Sequence, residues 1–341
     1  MDFVTAAKAK YEDEGGAADE ADAVMCVKRP ALNTIREVVL VSAGISSVGD
    51  FASIVAAVRV LDLSGNGLSS WADASALISG LGSLVSLDLS RNPLGAATAL
   101  DCKPASSSLK TLQLNETGLN WGIAAAAIAQ VPTLTELGLS GNALADPTES
   151  DLPVASASVA TLWLGNNALT SWSSLQSTVG TWPALTSLMV MANPIVSVAQ
   201  AADGPSFATL AALSLSQCPI QGWESVEALA NLPALRDLRL YEVPFMAIYA
   251  EDARRMLVIA RLKNLSAGGK GRQTVGSETA GLLNRGPITA NEREDAVRFF
   301  ESFVEPTEEE AAANKEANEK SSTAQLNSGT SFTNQGLGRC E

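Results

Sequence analysis

Carboxylates and thiols are the side chains of this sequence that could carry out catalysis or bind a metal. Three carboxylates stand together at Glu12, Asp13 and Glu14, and glycoside hydrolysis uses a pair of such groups held rigidly across a pocket. We expect the segment around them to be mobile, so it offers no fixed pair. The chain contains no histidine, which excludes Ser-His-Asp and Cys-His nucleophiles and zinc sites that need imidazole.

The cysteines are widely separated along the chain, at Cys26, Cys102, Cys218 and Cys340. No C-x-x-C pair is available for a metal or a redox couple. Disulfide frameworks are rare in a long chain with few cysteines, so the pattern favours a reduced, intracellular protein. No glycine-rich phosphate-binding loop occurs either. We therefore expect a protein that is not an enzyme and that binds no cofactor and no metal.

The charge balance narrows the class of partner. Asp and Glu number 37 against 23 Lys and Arg, which gives a formal net charge of −14. Such a balance argues against nucleic-acid binding, which needs clustered basic residues to neutralise phosphates. The N-terminus lacks the charged and apolar regions of a signal peptide, and the small apolar stretch at 122–131 is too short to span a bilayer. We expect a cytoplasmic protein with no membrane contact.

Internal repeats are the elements that must position any functional side chain. The pattern Leu-x-x-Leu-x-Leu-x-x-Asn-x-Leu occurs intact at residues 84–94 and 134–144, and seven further copies keep its aliphatic positions. The copies start at residues 35, 58, 84, 109, 134, 159, 185, 210 and 235. A near-constant period of this kind is the signature of a leucine-rich repeat array. Four copies replace the asparagine, with Ala43, Thr117, Cys218 and Val243.

The repeats predict an α/β fold, a leucine-rich repeat solenoid of about nine repeats of 25–26 residues with a helical C-terminal cap. Each Leu-x-Leu pair is a short strand that points alternate side chains inward. The asparagine can satisfy backbone groups where the chain leaves the strand. A tryptophan recurs in register at Trp71, Trp121, Trp172 and Trp223. We interpret these tryptophans as core residues rather than as a surface row.

The predicted domains follow from where the repeats begin and end. Residues 1–34 form an acidic N-terminal segment, partly disordered, and residues 35–265 form the array. Residues 266–304 form a basic loop and a cap helix, which a capping box at Thr289 and Glu292 opens. The chain from 305 to 341 is rich in polar residues, and we expect it to be a disordered tail. Residues 252–262, at the end of the array, are predicted to form a helix after the last repeat.

Four segments resemble the leucine-rich region of tubulin-folding cofactor E, the tubulin-specific chaperone E. They are residues 3–11 before an acidic stretch, 60–71 as the first well-formed repeat, 112–121, and 254–265 together with 288–300. The third carries Thr117–Gly118 where other repeats carry asparagine, which is the most specific of these features. The resemblance runs from residue 3 to about residue 304, and we expect the family's CAP-Gly and ubiquitin-like domains to be missing.

The resemblance implies a protein that binds tubulin, other tubulin-folding cofactors or both during assembly or disassembly of the tubulin heterodimer. The action would be stoichiometric binding without covalent chemistry. The alternative is a generic leucine-rich repeat adaptor or a phosphatase-regulator-like scaffold, although regulators of that kind usually have shorter and stricter repeats. The motifs that grip the acidic α-tubulin tail in the family have no counterpart in this sequence.

A partner would bind on the concave strand face, where leucine-rich arrays usually bind proteins. The register leaves mainly acidic residues exposed there, with an apolar cluster past the midpoint. Exposed Trp, Met, Tyr and Arg are typical of interface centres, although ordinary strand-face positions are an equal alternative. The predicted partner-binding residues are Trp163, Met189, Met191, Arg239, Tyr241, Asp62, Asp88 and Glu136.

The charge of this face also predicts which part of tubulin it contacts. A negative face repels the acidic tubulin tail, so we expect it to contact the tubulin body or another cofactor. The basic loop is the one place where an acidic tail could dock, although a solvated loop is the favoured interpretation. Its basic residues are Lys263, Lys270, Arg272 and Arg285.

Overall fold

Nine short parallel strands lie side by side in the order in which they occur along the chain. The computed structural model describes residues 1–11, 32–51, 57–96, 108–148, 151, 158–199, 206–265 and 281–327. Each strand begins two residues after a repeat start predicted from the sequence, so the leucine-rich repeat array is confirmed. The strands are β1 Glu37–Val39, β2 Val60–Asp62, β3 Ser86–Asp88, β4 Thr111–Gln113, β5 Glu136–Gly138, β6 Thr161–Trp163, β7 Ser187–Met189, β8 Ala212–Ser214 and β9 Asp237–Arg239.

A hairpin extends the sheet beyond the ninth repeat. Strand β10, Leu282–Leu283, pairs in parallel with β9, and β11, Gly286–Pro287, pairs antiparallel with β10. The turn between them, Asn284 and Arg285, has positive φ at both residues, as a two-residue hairpin turn of the primed type requires. Residues 282–285 were expected to lie in the basic loop, and this expectation was wrong for them because they form a strand of the sheet and the hairpin turn after it.

Eight α-helices accompany the strands within the described residues. Helices α2 to α5 connect successive repeats. Helices α6 and α7 close the C-terminal end and correspond to the helix predicted after the last repeat and to the predicted cap helix. The bounds are α1 Phe3–Tyr11, α2 Trp71–Gly80, α3 Trp121–Gln130, α4 Trp172–Ser177, α5 Gly222–Ala228, α6 Glu251–Arg261, α7 Ala290–Ser302 and α8 Glu308–Asn327. Short 3-10 segments lie at Leu32–Thr34, Leu94–Ala96, Val179–Thr181, Leu229–Asn231 and Pro244–Ile248. No helix among the described residues is long and apolar enough to cross a membrane.

The core is a continuous stack of aliphatic side chains, because the central residue of every repeat strand points inward and is buried. Burial of such a side chain stabilises the fold by about 1.5–3 kcal/mol. The predicted role of the recurring tryptophans is confirmed for Trp71, Trp121 and Trp172, which are buried, whereas Trp223 is half-buried. The buried central residues are Val38, Leu61, Leu87, Leu112, Leu137, Leu162, Leu188, Leu213 and Leu238.

The asparagine of each intact repeat connects two repeats through buried hydrogen bonds. Asn167 Nδ2 donates to the carbonyl oxygens of Leu139 and Leu164, both at 3.0 Å. Its Oδ1 accepts from the backbone amides of Asn142 at 2.9 Å and Leu144 at 3.1 Å. We call this position of the repeat the ladder position. The same two carbonyl contacts recur at Asn66, Asn92, Asn142 and Asn193.

Two of the substituted ladder positions keep part of this bonding. Thr117 Oγ1 donates to the Leu114 carbonyl oxygen at 3.0 Å. Cys218 Sγ donates to the Val190 carbonyl oxygen at 3.3 Å, and its side chain is fully buried. Burial raises the pKa of the Cys218 thiol to about 11. Thr117 and Cys218 therefore each keep one bond to a backbone carbonyl oxygen, whereas Ala43 and Val243 have no side-chain donor.

The residue before the ladder position adopts a left-handed backbone conformation in nine successive repeats, with φ between 53° and 70°. Glycine adopts this conformation at little cost, and asparagine more easily than other residues with a side chain. The chain needs the left-handed residue to turn out of the strand so that the next side chain enters the ladder. The residues are Ser42, Gly65, Arg91, Glu116, Gly141, Asn166, Ala192, Gln217 and Glu242.

Helix α1 closes the N-terminal end of the array. Asp2 caps it, with Oδ1 accepting from the Thr5 amide at 2.8 Å, and Phe3 is fully buried with its ring centroid 6.3 Å from that of Phe51. The Phe3 amide donates to the Ser47 carbonyl oxygen at 2.9 Å. This contact agrees with the prediction that residues 3–11 are an ordered part of the acidic N-terminal segment.

Two arginines hold the C-terminal cap together. Arg255 donates to the Leu283 carbonyl oxygen at 2.9 Å and to Glu292 of α7. Arg293 donates to the carbonyl oxygens at the end of α6, at 3.2 Å for Ile259 and 3.3 Å for Leu262. The predicted capping box is present, since the Glu292 amide donates to Thr289 Oγ1 at 3.1 Å and the Thr289 amide to the Glu292 carboxylate at 3.4 Å.

Helix α8 lies where a disordered tail was expected from residue 305, so the expectation was wrong for residues 308–327. Alanine and glutamate have high helix propensity, and Thr307 Oγ1 caps the helix by accepting from the Glu310 amide at 3.3 Å. The helix is held by amides rather than by apolar contacts. Asn314 Nδ2 donates to the Ile248 carbonyl oxygen at 3.0 Å, and Asn318 Nδ2 donates to that of Ala247 at 2.8 Å.

Several sequence-based expectations fall outside the described residues. They concern the disorder of the acidic segment at 12–31, the body of the basic loop at 266–280 and the tail at 328–341. The individual residues concerned are Glu12, Asp13, Glu14, Cys26, Cys102, Lys270, Arg272 and Cys340.

Candidate functional site

The outward face of the sheet carries two rows of side chains, because alternate residues of a strand point to the same side. The strand row is the last residue of each repeat strand, and the turn row lies two residues later. The strand row runs Val39, Asp62, Asp88, Gln113, Gly138, Trp163, Met189, Ser214, Arg239. The turn row runs Val41, Ser64, Ser90, Asn115, Ser140, Gly165, Met191, Ser216, Tyr241.

The N-terminal end of the face is acidic. Asp62 Oδ1 accepts from the Ser64 amide at 2.9 Å, and Asp88 Oδ1 accepts from the Ser90 amide at 2.8 Å. The two carboxylates are paired in register on adjacent strands. Partial burial raises the pKa of Asp88, and the nearby Asp62 carboxylate raises it further. These contacts fix both aspartates as half-buried negative charges rather than as freely mobile side chains.

A polar network separates the acidic end from the apolar cluster. Asn115 Nδ2 donates to Gln113 Oε1 at 3.0 Å, and Asn115 Oδ1 accepts from the Ser140 amide at 2.8 Å. The Gln113 side chain lies over Gly138, since a Cβ placed on this glycine would come 1.8 Å from Gln113 Oε1. A side chain at this position would therefore displace the Gln113 amide from the network, an effect that the sequence pattern had not revealed.

Trp163 lies beside this network at the start of the apolar cluster. Its Nε1 donates to Glu136 Oε1 at 3.1 Å, so the indole is anchored while its side chain stays half-buried. A fixed aromatic side chain with part of its surface in water suits binding, because little rotamer entropy is lost when a partner covers it. Glu136, predicted as an acidic contact residue, instead serves as the acceptor that orients Trp163.

The two methionines differ in accessibility. Met191 is half-buried and lies against Gly165, where an added Cβ would come 2.9 Å from Met191 Cγ. Met189 was expected to be exposed, but only 5% of its surface is accessible. It lies in register between Trp163 and Ser214, and the Arg239 Nη1 atom is 4.0 Å from its sulfur. Met189 therefore supports the exposed neighbours, and the expectation of exposure was wrong for it.

Arg239 and Tyr241 form the C-terminal end of the cluster. Arg239 Nη2 is 3.0 Å from Asp237 Oδ2, and both side chains are partly buried. Among the described residues Arg239 Nε and Asp237 Oδ1 have no hydrogen-bond partner. The Tyr241 hydroxyl donates to the Asn284 carbonyl oxygen at 2.6 Å, while 37% of its surface remains accessible. We call Trp163, Met189, Met191, Arg239 and Tyr241 the strand-face patch.

The predicted site residues thus fall into two groups. The strand-face patch and Glu136 lie together on strands β5 to β9 and the turns after them, whereas Asp62 and Asp88 lie on β2 and β3. Three strand spacings separate Asp88 from Trp163, which is about 14 Å at 4.8 Å per strand. No group of three or more His, Cys, Asp and Glu side chains in the described part of the chain is arranged to hold a metal ion. The arrangement suits protein contact along the face.

The fold and this face define the class of protein, which is a leucine-rich repeat protein. No family model matches the chain. The chain is 31% identical over 286 residues to the tubulin-specific chaperone cofactor E-like proteins of Rattus norvegicus and Homo sapiens, a match that covers 82% of this chain. It is 29% identical over 266 residues to tubulin-folding cofactor E of Arabidopsis thaliana, which covers 74% of this chain and 47% of that protein.

The chain is thus a homologue of the cofactor E-like proteins and of tubulin-folding cofactor E, and the resemblance found in its sequence is confirmed. The match spans 63% of the length of the two mammalian relatives. Among solved structures, an internalin C2 from Listeria monocytogenes is similar with a TM-score of 0.44 at 23% identity. That similarity covers 61% of this chain and 82% of the internalin.

Proposed function

We propose that this chain is a cytoplasmic protein-interaction module of the tubulin-folding pathway, which binds tubulin or a tubulin-folding cofactor on its strand face. The observation that carries the proposal is the strand-face patch in a homologue of cofactor E. An anchored tryptophan, a methionine and a half-exposed tyrosine lie together past the midpoint of the face. Such residues dominate the binding energy of protein interfaces. The proposed action is stoichiometric binding without a covalent step.

The charge of the face supports contact with the folded body of tubulin. Asp62 and Asp88 keep the N-terminal end of the face negative, and Glu116 and Glu242 add exposed carboxylates in the turns. Like charges disfavour an acidic partner segment. An apolar surface of the partner would therefore lie on the strand-face patch, with its basic residues toward Asp62 and Asp88.

The test is capture of purified tubulin dimer by the immobilised chain, with Trp163→Ala combined with Met191→Ala as the variant. Loss of a central aromatic costs about 2 kcal/mol or more, which weakens binding about 30-fold. The matched control is Phe300→Ala combined with Val297→Ala, which removes exposed apolar side chains on α7, away from the strand face. We expect the control to capture tubulin as well as the unaltered chain does.

Two results would contradict the proposal. One is equal capture by the Trp163 and Met191 variant when its thermal unfolding shows that it is folded. The other is failure of the unaltered chain to bind either the tubulin dimer or any of the purified tubulin-folding cofactors.

A further inference from the structure

Besides the strand row and the turn row, a further row of side chains lies along the edge of the array, one residue before each repeat strand. Its backbone is continuous, since the Arg59 amide donates to the Arg36 carbonyl oxygen at 2.7 Å and the Val85 amide to that of Arg59 at 2.7 Å. The Lys110 amide continues the row with a 2.8 Å bond to the Val85 carbonyl oxygen. We call this the edge row. It runs Arg36, Arg59, Val85, Lys110, Thr135, Ala160, Thr186, Ala211, Arg236.

An open groove of about 400 Å³ lies along the N-terminal part of the edge row. Two exposed arginines from adjacent repeats line it, together with two serine hydroxyls and the side chain of Val85. No carboxylate is among its lining residues, although the chain carries a net charge of −14. The groove is lined by Arg36, Ala57, Arg59, Ser83, Val85 and Ser108.

The two groove arginines differ from three arginines of the last repeats and the C-terminal cap. Arg239, Arg255 and Arg261 each form an ion pair with a carboxylate. Within the described part of the chain, neither Arg36 nor Arg59 has an ion-pair partner, and their side chains are exposed. Two uncompensated guanidinium groups one strand apart, about 4.8 Å between backbones, form a local positive site on an acidic protein.

We propose that this groove binds an acidic peptide segment of a partner protein. Each guanidinium can bind a carboxylate through two parallel hydrogen bonds. The Ser83 hydroxyl can bond to a peptide group, and the Ser108 hydroxyl, which donates to the Gly82 carbonyl oxygen at 2.9 Å, can still accept a hydrogen bond. Val85 lies between Arg59 and Lys110 in the edge row. Its side chain can contact the aliphatic part of a glutamate. A carboxylate-rich peptide fits better than a nucleic acid, since the lining residues include no aromatic side chain for base stacking.

The groove and the strand face would then bind different chemistry. The strand face is acidic beside an apolar patch, whereas the groove is positive and lies one row away at the edge of the repeats. The inference does not rest on the proposed tubulin-related function, because charge and geometry alone carry it. A partner with an acidic tail could therefore place its body on the strand face and its tail in the groove.

The test is fluorescence anisotropy of a labelled oligoglutamate peptide titrated with the full chain at low salt. The variant is Arg36→Ser combined with Arg59→Ser. We expect binding to weaken by about ten-fold or more, which corresponds to about 1.4 kcal/mol. Binding to the unaltered chain should also weaken as salt is raised, because the contacts are exposed charges. Since both arginine side chains are exposed, we expect the double variant to remain folded, and thermal unfolding checks this.

The matched control is Arg236→Ser, which removes a positive charge from the same edge row seven strands from Arg59. It should bind the peptide as the unaltered chain does. Equal weakening in the control would mean that net charge alone attracts the peptide and would overturn the proposal. The proposal also fails if the unaltered chain does not bind the peptide, if the double variant binds equally well, or if a single-stranded oligonucleotide binds the groove more tightly.

Discussion

The interior repeats and the C-terminal cap meet the same requirement with different side chains. In both regions backbone carbonyl groups are left without partners where the chain leaves a regular element. Asn142 and Asn167 meet this requirement with short neutral amides that bond to their own repeat and to the one before. Arg255 and Arg293 meet it in the cap with long charged side chains that reach from one helix to another or to the hairpin.

The difference shows what regular spacing makes possible. An asparagine suffices where the next repeat stands at a fixed strand spacing, because its amide can reach both neighbours. Where the array ends, the distances are irregular and a longer donor is needed. The cost is burial of charge, and burial lowers the pKa of Arg293 although Glu292 partly opposes the shift. Stability of the interior should therefore depend on neutral amides, and stability of the cap on arginine.

Among the variants that test this comparison, removal of a ladder amide should lower the free energy of unfolding the most. Asn167→Ala leaves the backbone amides of Asn142 and Leu144 buried without partners. It also removes one of the two hydrogen bonds to each of the Leu139 and Leu164 carbonyl oxygens. Each amide left without a partner costs about 1–3 kcal/mol, so we expect the free energy of unfolding to fall by about 4 kcal/mol or more. Urea denaturation measures it. Asn166→Ala is the control, since Asn166 is exposed and should change stability by about 1 kcal/mol or less. Equal effects of the two variants would contradict the ladder's role.

Removal of a cap arginine should have a smaller effect. Arg293→Met keeps the aliphatic stem and removes the donors to the carbonyl groups of Ile259 and Leu262, so we expect a loss of about 3 kcal/mol. Arg298→Met on the same helix is the control, since Arg298 is 73% exposed in its ion pairs and such pairs contribute about 0–1 kcal/mol. Thermal unfolding of both variants measures the difference. If Arg293→Met is as stable as Arg298→Met, the cap does not depend on arginine and the contrast between the two regions is lost.

The eighth repeat, which lies between the two regions, should show the smallest effect and only at high pH. Burial raises the pKa of the Cys218 thiol from 9.0 to about 11. The folded chain therefore keeps this proton at pH values where the unfolded chain loses it. The protonated thiol therefore contributes fully to the free energy of unfolding below about pH 9. As pH rises toward 11, this free energy falls by about 2 kcal/mol.

Urea denaturation of the unaltered chain and of Cys218→Ser at several pH values tests this. The serine variant keeps a hydrogen-bond donor but does not titrate in this range, so the difference between the two chains isolates the thiol. Parallel pH dependence in both chains would show that Cys218 contributes nothing to it.

Much of the array could be predicted from the sequence because every repeat has the same spacing of aliphatic residues. Leucine spacing fixes the strands of the repeats, so each of the nine begins where the pattern placed it. The asparagine holds the turn after the strand in the repeats that have one. The cap helix at Ala290–Ser302 was also predictable, since its capping box is a local signal. These features depend on residues close together in sequence.

Features that depend on distant contacts were not predictable. The burial of Met189 depends on Arg239, two strands away, and the anchoring of Trp163 depends on Glu136 of the preceding repeat. Helix α8 was missed because composition was taken to mean the absence of a core, whereas amide contacts from Asn314 and Asn318 hold the helix. The roles of Gly138 and Gly165 follow from the long side chains that cover them.

The left-handed residue before each ladder position has a consequence for evolution. Its backbone requirement is met at modest cost by residues as different as Arg91, Glu116 and Ala192, and none of the nine is β-branched, the class for which this conformation is most unfavourable. Charge and size at these positions can therefore drift between lineages while the array keeps its shape. The turns bordering the strand face are places where related proteins could acquire different partner preferences through single substitutions.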